Sequence, residues 1–228
     1  MTFTDLEQTI GIHFTNRELL KQAFVHRSYI NEHREYSSSN ERMEFLGDAI
    51  LSFLTSQYLY TQYPNYPEGI LTNIRSSLVK TSSLAEIAAG LDFGNMLFLS
   101  KGEEESGGRK NTSLLADTFE AFLGGLFLDQ GVKAVEIFLH KYLFPKTESI
   151  ISNKSYVDFK SLLQEVVQEK SRISPTYRVV KTEGPDHNKT FWVEATTGKR
   201  VIGRGMGKSK QEAEQKAAEN ALAGIGKL

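Results

Sequence analysis

The chain has 228 residues, which is enough for one large domain or two smaller ones. Its hydrophobic content of 39% and charged content of 24% are ordinary for a globular protein, and no apolar run approaches the length of a membrane span. There is no cysteine, which excludes disulfides, thiolate metal ligands and a cysteine nucleophile. We therefore expect a protein of the reducing cytoplasm without a membrane segment.

The net charge of −1 conceals an uneven distribution along the chain. Residues 153–228 carry 14 Lys or Arg against 9 Asp or Glu, whereas residues 1–152 carry 13 against 19. A basic segment joined to an acidic one favours a polyanion-binding module beside a cation-using module. Chance scatter of charge explains a difference of this size about equally well, so the pattern alone decides nothing.

Up to about residue 150 the apolar residues recur at helical spacing nearly throughout, in 16–26, 41–62, 70–90, 112–129 and 132–143. Pro64 and Pro67 break this pattern, and Pro67 followed by Glu68 can open the next helix. The polar, glycine-containing segment 101–110 predicts a loop directly before the helix at 112–129. We therefore predict an all-α domain over residues 1–150.

Helical periodicity is lost over residues 147–155, and we place the linker proper at 151–155. The remainder, residues 156–226, predicts a helix, three short strands rich in β-branched and aromatic residues, and an alanine-rich helix, at 158–168, 176–182, 190–196, 200–205 and 210–223. The order α-β-β-β-α in about 70 residues is typical of a compact α+β domain.

Residues 40–51 place three carboxylates in what otherwise has the pattern of a buried helix. At 3.6 residues per turn, Glu41, Glu44 and Asp48 fall within an arc of about 60°. Like charges on one face of a half-buried helix repel each other and resist desolvation, unless a cation or strong donors lie among them.

A second acidic pair, Asp117 and Glu120, lies on one face of the apolar helix predicted at 112–129. A single pair of this kind is usually a solvated helix face. Two pairs inside apolar helices, with no alternating Lys or Arg, favour a site built from several carboxylates. Because hard divalent cations take oxygen ligands, we predict Mg²⁺, with Mn²⁺ as a possible substitute.

The segment 40–51 resembles the signature of the ribonuclease III family, and the residues at 26–29, 100–104 and 113–121 continue the match in the family's order. Residues 156–225 resemble a double-stranded-RNA-binding domain, through Gly184-Pro185-Asp186-His187 and the basic stretch 207–218. This resemblance implies a Mg²⁺-dependent endonuclease that hydrolyses double-stranded RNA, leaves short 3′ overhangs and processes ribosomal and other RNA precursors.

The family motif implies four metal ligands, of which Asp48 and Glu120 are also expected to be catalytic: Glu44, Asp48, Asp117 and Glu120. Glu41 and Glu68 match supporting acidic positions. The hydrolysis of a phosphodiester with metal ions needs no histidine base. A serine hydrolase built on His26 and Ser28 is disfavoured, since residues two apart on a helix diverge.

In the tail we expect contacts to RNA phosphates and to the minor groove, because the bases of A-form RNA are hidden in a narrow major groove. The candidates are Ser161, Gln164, Glu165, His187, Lys208, Ser209 and Lys210. Gln211 departs from the family pattern, which has a second lysine at this position, and one phosphate contact is expected to be weaker.

The resemblance also implies a homodimer with the signature helix at its interface, because a duplex has two strands and one carboxylate cluster cuts only one of them. We expect Phe45 to be buried against the partner, although the alternative that it fills its own core is open. Two other functions are considered. A non-catalytic duplex-RNA-binding protein would be expected to lose acidic positions, and an enzyme acting on nucleotides would not need the basic tail.

Overall fold

The computed structural model of the protein describes residues 2–185 and 188–226. These residues form two compact units, which divide between Tyr156 and Val157. We call them the helical unit and the α+β unit. None of the described helices combines the length and apolar character that crossing a membrane would require.

The helical unit consists of eleven described helices and a short 3₁₀ helix at Gly108–Lys110. The helices are α1 (Phe3–Ile10), α2 (Arg17–Ala23), α3 (Arg27–Glu32), α4 (Glu41–Gln62), α5 (Glu68–Val79), α6 (Thr81–Gly90), α7 (Phe93–Met96), α8 (Lys101–Glu105), α9 (Thr112–Gln130), α10 (Val132–Tyr142) and α11 (Lys146–Ser152).

Helix α9 lies at the centre of this unit. It is apolar on almost every side, which is the pattern of a helix surrounded by other helices. Its Phe122 ring lies 5.4 Å from Phe93 and 5.0 Å from Phe138, and the Phe93 ring lies 5.0 Å from Phe24. These four rings are fully buried and tilted against each other, so aromatic packing joins the end of α2 to α7, α9 and α10 in one core.

Three local predictions differ from the structure. The stretch 70–90 is not continuous, because α5 ends at Val79 and α6 begins at Thr81. The predicted loop 101–110 contains the short helix α8 and a 3₁₀ turn. The segment 147–155 was predicted to be a linker, but its first part belongs to α11, and Ile150, Ile151 and Tyr156 pack against the core.

The α+β unit contains α12 (Phe159–Ser171), β1 (Thr176–Glu183), β2 (Thr190–Thr197), β3 (Arg200–Gly207) and α13 (Lys210–Gly224), in the predicted order. The three strands form an antiparallel sheet in the order β1-β2-β3. Both helices contribute buried side chains to one core with the inner face of the sheet. The predicted all-α plus α+β architecture is confirmed.

The alanine-rich composition of α13 has a packing reason. Ala213, Ala217 and Ala221 are fully buried, and the backbone of α13 lies directly over β3. A Cβ atom at Gly205 would come within 2.2 Å of the carbonyl oxygen of Ala213. Small residues on both sides therefore permit the close approach of helix and strand.

Candidate active site and RNA-binding surface

Helices α4 and α9 cross in direct backbone contact. A Cβ atom at Gly47 of α4 would lie 1.8 Å from the carbonyl oxygen of Glu120, and one at Gly124 of α9 would lie 2.2 Å from the carbonyl oxygen of Met43. Each glycine thus provides room for the backbone of the other helix. This contact brings the acidic residues of the two helices to the same place.

The acidic residues at the crossing interact electrostatically, and we call Glu44, Asp48, Asp117 and Glu120 the acidic cluster. Burial, followed by the charges of Asp48, Glu44 and Asp117, raises the pKa of Glu120 to about 8. Burial and then the neighbouring charge of Asp117 also raise the pKa of Glu44. Burial raises the pKa of Asp117, which His26 partly offsets. The four predicted ligands therefore form one electrostatically coupled group.

A cavity of about 300 Å³ opens beside the acidic cluster. Its acidic walls are Glu41 and Glu44 from α4 and Asp117 from α9, and its other lining residues are His26, Arg27, Asn40, Leu97, Leu114 and Thr118. Asp48 and Glu120 do not line it. The cavity is therefore one side of the site, next to the first turn of α4.

The buried Asn40 fixes the start of α4, and the sequence did not identify this role. Its side-chain Nδ2 donates to the carbonyl oxygen of Ala23 at 3.2 Å, and its backbone N–H donates to Val25 at 2.8 Å. Its own carbonyl accepts from the N–H of Glu44 at 2.9 Å. Asparagine before a helix usually caps it, but this side chain makes no cap. Asn40 instead ties the acidic turn of α4 to residues 23–25.

His26 and Ser28 were expected to diverge, and this prediction is wrong. His26 lies just before α3 in extended backbone, so its Nδ1 is 2.8 Å from the Ser28 hydroxyl oxygen. The same hydroxyl oxygen accepts from the N–H of Ser100 at 3.1 Å. His26 Nδ1 also accepts from the N–H of Ser28 at 3.3 Å, which caps α3, while the Ser28 hydroxyl holds the segment before α8. Burial lowers the pKa of His26, against the opposing charge of Glu103.

Arg109 holds the segment that precedes α9. Its guanidinium donates to the carbonyl oxygens of Gly94 and Leu97, each at 3.0 Å, and to that of Asn95 at 3.3 Å. Its Nε pairs with Glu104 at 2.6 Å. One side chain therefore fixes the short helices α7 and α8 before α9. The sequence did not reveal this role, because three of its partners are backbone carbonyl groups.

The two supporting acidic residues lie in different places. Glu41 is exposed at the cavity, with its carboxylate 2.7 Å from the Ser39 hydroxyl and 3.8 Å from the Arg27 guanidinium. Glu68 begins α5, accepts from Thr72 at 3.1 Å, and lines a separate apolar groove of about 730 Å³. Within one chain, Glu68 is therefore not brought to the cavity of the acidic cluster.

The chemistry of the acidic cluster fits a hard divalent cation, because its donors are all carboxylate oxygens and their mutual repulsion calls for a positive charge. Across residues 2–185 and 188–226, no three His, Asp or Glu side chains converge closely enough to enclose a metal ion. The residues are thus grouped by fold and electrostatics, without a closed cage.

In the α+β unit, the predicted RNA contacts on α12 lie on its exposed face. Gln164 and Glu165 are exposed, opposite the buried Leu163 and Val166. Ser161 is also exposed, but its hydroxyl donates to Asp158, the N-cap of α12, at 2.8 Å. The side chains of Gln164 and Glu165 are therefore more available for RNA contacts than the Ser161 hydroxyl.

The basic residues lie at the start of α13. The ammonium group of Lys208 donates to Asn188 at 3.0 Å, which holds its side chain near the start of β2. Ser209 caps α13 by accepting from the N–H of Glu212 at 3.1 Å, and Lys210 is exposed on the first turn. Both lysines therefore stand at the positive end of a helix. His187 lies outside the described residues.

Taken together, the fold and site define a helical domain with a coupled acidic cluster and an α-β-β-β-α module with basic residues at a helix start. A profile described as Ribonuclease-III-like matches residues 16–147, and one described as double-stranded RNA binding motif matches residues 159–225.

Two relatives and one solved structure that are similar to this chain are consistent with these two matches. Ribonuclease 3 of Enterococcus faecalis is 50% identical over 97% of this chain and 96% of its own, and that of Bacillus licheniformis is 47% identical over 99% and 90%. A solved nuclease domain of ribonuclease III from Campylobacter jejuni is 33% identical with a TM-score of 0.59, covering 63% of this chain and 99% of its own.

The chain belongs to the ribonuclease III family. Its activity is that of an endoribonuclease specific for double-stranded RNA, and the α+β unit is its double-stranded-RNA-binding module.

The helix crossing predicts that Gly47→Ala will damage both the fold and the site. The added methyl group overlaps the backbone of α9, so we expect a loss of about 1–3 kcal/mol or more in the free energy of unfolding, together with a loss of RNA cutting. Gly69→Ala is the matched control, since nothing lies within 4 Å of that Cβ position. Chemical denaturation that showed equal stability for the two variants would contradict the close contact.

The raised pKa of Glu120 predicts a pH-dependent stability in metal-free protein. Between its ordinary pKa of 4.5 and about 8, the folded chain keeps a proton that the unfolded chain releases, so the free energy of unfolding falls as pH rises. Glu120→Gln removes this group. With a chelator present, we expect the melting temperature of the Glu120→Gln protein to rise relative to that of the parent protein between about pH 5 and about pH 8. Curves of melting temperature against pH that run parallel for the two proteins would contradict the raised pKa of Glu120.

Proposed function

We propose that the enzyme cuts duplex RNA with Mg²⁺ held by Glu44, Asp48, Asp117 and Glu120, and that Mn²⁺ can substitute. The observation that carries this proposal is the close crossing of α4 and α9, which brings the four carboxylates together. Burial and the three neighbouring carboxylates accordingly raise the pKa of Glu120 to about 8. A cation among these groups would remove the repulsion and keep Glu120 ionised near neutral pH.

When bound, Mg²⁺ supplies an activated water and neutralises charge that develops on the phosphate oxygens. The residues of the chain position the site and bind the RNA. Asp48 and Glu120 are the proposed catalytic residues, and Asn40 keeps the turn bearing Glu44 in place. Arg27 lines the same cavity as Asp117, where its guanidinium can hold an RNA phosphate. Glu41, which already pairs with Arg27, orients that guanidinium.

We further propose that the enzyme is a homodimer joined along α4. Phe45 is 81% exposed, so it does not fill its own core, and Phe53 and Tyr60 on the same helix are 61% and 76% exposed. At 3.6 residues per turn these three side chains fall within about 80° of each other, which makes one apolar stripe. Contiguous exposed apolar surface of this kind marks an interaction site.

The apolar stripe lies next to the acidic face of α4, which carries Glu41, Glu44 and Asp48. The stripe also continues into the groove lined by Tyr63, Tyr66 and Leu71. Pairing along this stripe therefore sets two acidic clusters near a two-fold axis. Each cluster would cut one strand, and offset cuts would leave short 3′ overhangs.

The α+β unit is proposed to hold the duplex by its shape. Lys208 and Lys210 supply positive charge at a helix start, where N–H groups and the helix dipole also favour phosphate. Gln164 and Glu165 are placed for minor-groove contacts with 2′-hydroxyls. Such contacts carry little sequence information, so the enzyme would select its substrates by their duplex structure. We propose that these substrates include ribosomal RNA precursors and that the enzyme acts in the cytoplasm.

The metal proposal predicts that Glu120→Gln will cut duplex RNA at least about 100-fold more slowly, a loss of about 3 kcal/mol of transition-state stabilisation. Its binding to the same duplex should be unchanged, because the α+β unit is intact. Glu136→Gln on α10 is the matched control and should cut normally. Ca²⁺ in place of Mg²⁺ should support binding without cutting. Normal turnover by Glu120→Gln at saturating Mg²⁺ would remove Glu120 from the site.

The dimer proposal predicts that Phe45→Asp will be monomeric, because it places a charge in the middle of the apolar stripe. Leu128→Asp is the control, since Leu128 is 52% exposed on α9 and outside the stripe. Sedimentation would show the mass of each variant, and a short duplex would show whether both strands are cut. A dimeric Phe45→Asp protein would show that the stripe is not the interface.

A further inference from the structure

The face of the sheet opposite α12 and α13 carries an aromatic ring and several basic side chains. Both helices pack on the inner face of the sheet, where Val193 and Ala195 of β2 are buried. Because side chains alternate along a strand, Trp192 and Glu194 lie on the opposite face. We call the surface formed by six residues of this face the outer sheet face: Arg178, Lys181, Trp192, Glu194, Arg204 and Met206.

Trp192 lies in the middle of a row that crosses the three strands. It is partly exposed, and its register partners are Lys181 on β1 and Met206 on β3. The Lys181 ammonium group lies 5.0 Å from the centre of the Trp192 ring in a cation–π contact, and Met206 is 55% exposed. An aromatic ring held on a sheet beside a cation suits the stacking of unpaired bases.

The neighbouring row on the same face presents positive charge. Arg178, Glu194 and Arg204 are register partners, and both arginines pair with the one carboxylate, at 3.4 and 3.0 Å. The two arginine side chains are 75% and 76% exposed, whereas that of Glu194 is 12% exposed. Arg204 uses its Nε for this pair, so its two terminal nitrogens have no acceptor among the described residues. These nitrogens are suited to a phosphate group.

The spacing of the two rows matches a single nucleotide. Trp192 and Glu194 are two residues apart on β2, which places the rows about 7 Å from each other. A base on the Trp192 ring therefore leaves its phosphate within reach of Arg204. Bases inside a duplex have both faces covered by neighbouring bases, so only an unpaired nucleotide can stack on this ring.

We propose that the outer sheet face binds an unpaired segment of RNA. A base stacks on Trp192 in place of the Lys181 ammonium group, and the adjoining phosphates pair with Arg178 and Arg204. The described residues proposed for duplex contact lie elsewhere, on α12 and at the start of α13. The α+β unit can therefore hold a duplex and an adjoining unpaired segment at the same time.

The test uses the intrinsic fluorescence of the full chain, which reports Trp192 alone because the chain has no other tryptophan. The probe is a single-stranded oligouridylate of about ten nucleotides, which does not pair with itself. It is added in the presence of a chelator, so that cutting plays no part. We expect saturable quenching of the fluorescence, and we expect the affinity to fall as salt is raised.

Variants are compared by the fluorescence anisotropy of a dye-labelled oligouridylate. Trp192→Ala and Arg204→Gln should each weaken its binding about tenfold, while Trp192→Phe should retain most of it. Lys216→Gln is the matched control and should bind as the parent does, because Lys216 pairs with Glu219 at 2.6 Å on α13, on the other side of the sheet. Binding of a blunt RNA duplex by the Trp192 and Arg204 variants should be unchanged, which shows that the unit is folded.

Three results would overturn the proposal. The first is fluorescence that oligouridylate leaves unchanged, and the second is parental affinity for oligouridylate in both Trp192→Ala and Arg204→Gln. The third is equal quenching by an oligoglutamate peptide of the same net charge, which would make the outer sheet face a surface for acidic protein segments instead of RNA.

Discussion

The direct contact between the backbones of α4 and α9 is the constraint on which the active site depends. Gly47 and Gly124 allow each helix to approach the carbonyl groups of the other, with no side chain between them. The approach is maintained by the aromatic core around α9, where Phe122 joins three further rings. A wider crossing would separate the two acidic pairs and with them the proposed cation site.

The same contact has an electrostatic cost. Carboxylates brought together and partly buried resist ionisation, which is visible in the raised pKa values of Glu44, Asp117 and Glu120. The fold tolerates this cost because the helices are fixed by groups outside the cluster. Asn40 anchors the start of α4, and Arg109 anchors the segment before α9. The acidic cluster is thus held in place for a ligand by interactions that the ligand does not make.

The two units differ in the chemistry of their polar groups, and this difference fits two separate functions of an endonuclease. In the helical unit we propose that the acidic groups bind a cation beside the reacting phosphodiester, and there the positions of the side chains matter most. In the α+β unit the polar groups of α12 and the lysines at the start of α13 are exposed, which suits contact with a regular duplex surface. The excess of positive charge after residue 152 belongs to this binding role, and the excess of negative charge before it includes the acidic cluster.

The sequence by itself determined the two-part architecture and the family, because apolar periodicity and motif spacing are local properties of the chain. It also predicted the four acidic positions of the proposed site. It did not determine that α5 and α6 are separate helices, that residues 147–152 belong to a packed helix, or that His26 and Ser28 touch. Those outcomes depend on single backbone dihedral angles and on contacts between residues distant in sequence. The burial of Asn40 and the exposure of Phe45 were likewise decided only by the tertiary structure, since the neighbours that cover a side chain, or fail to cover it, come from other helices.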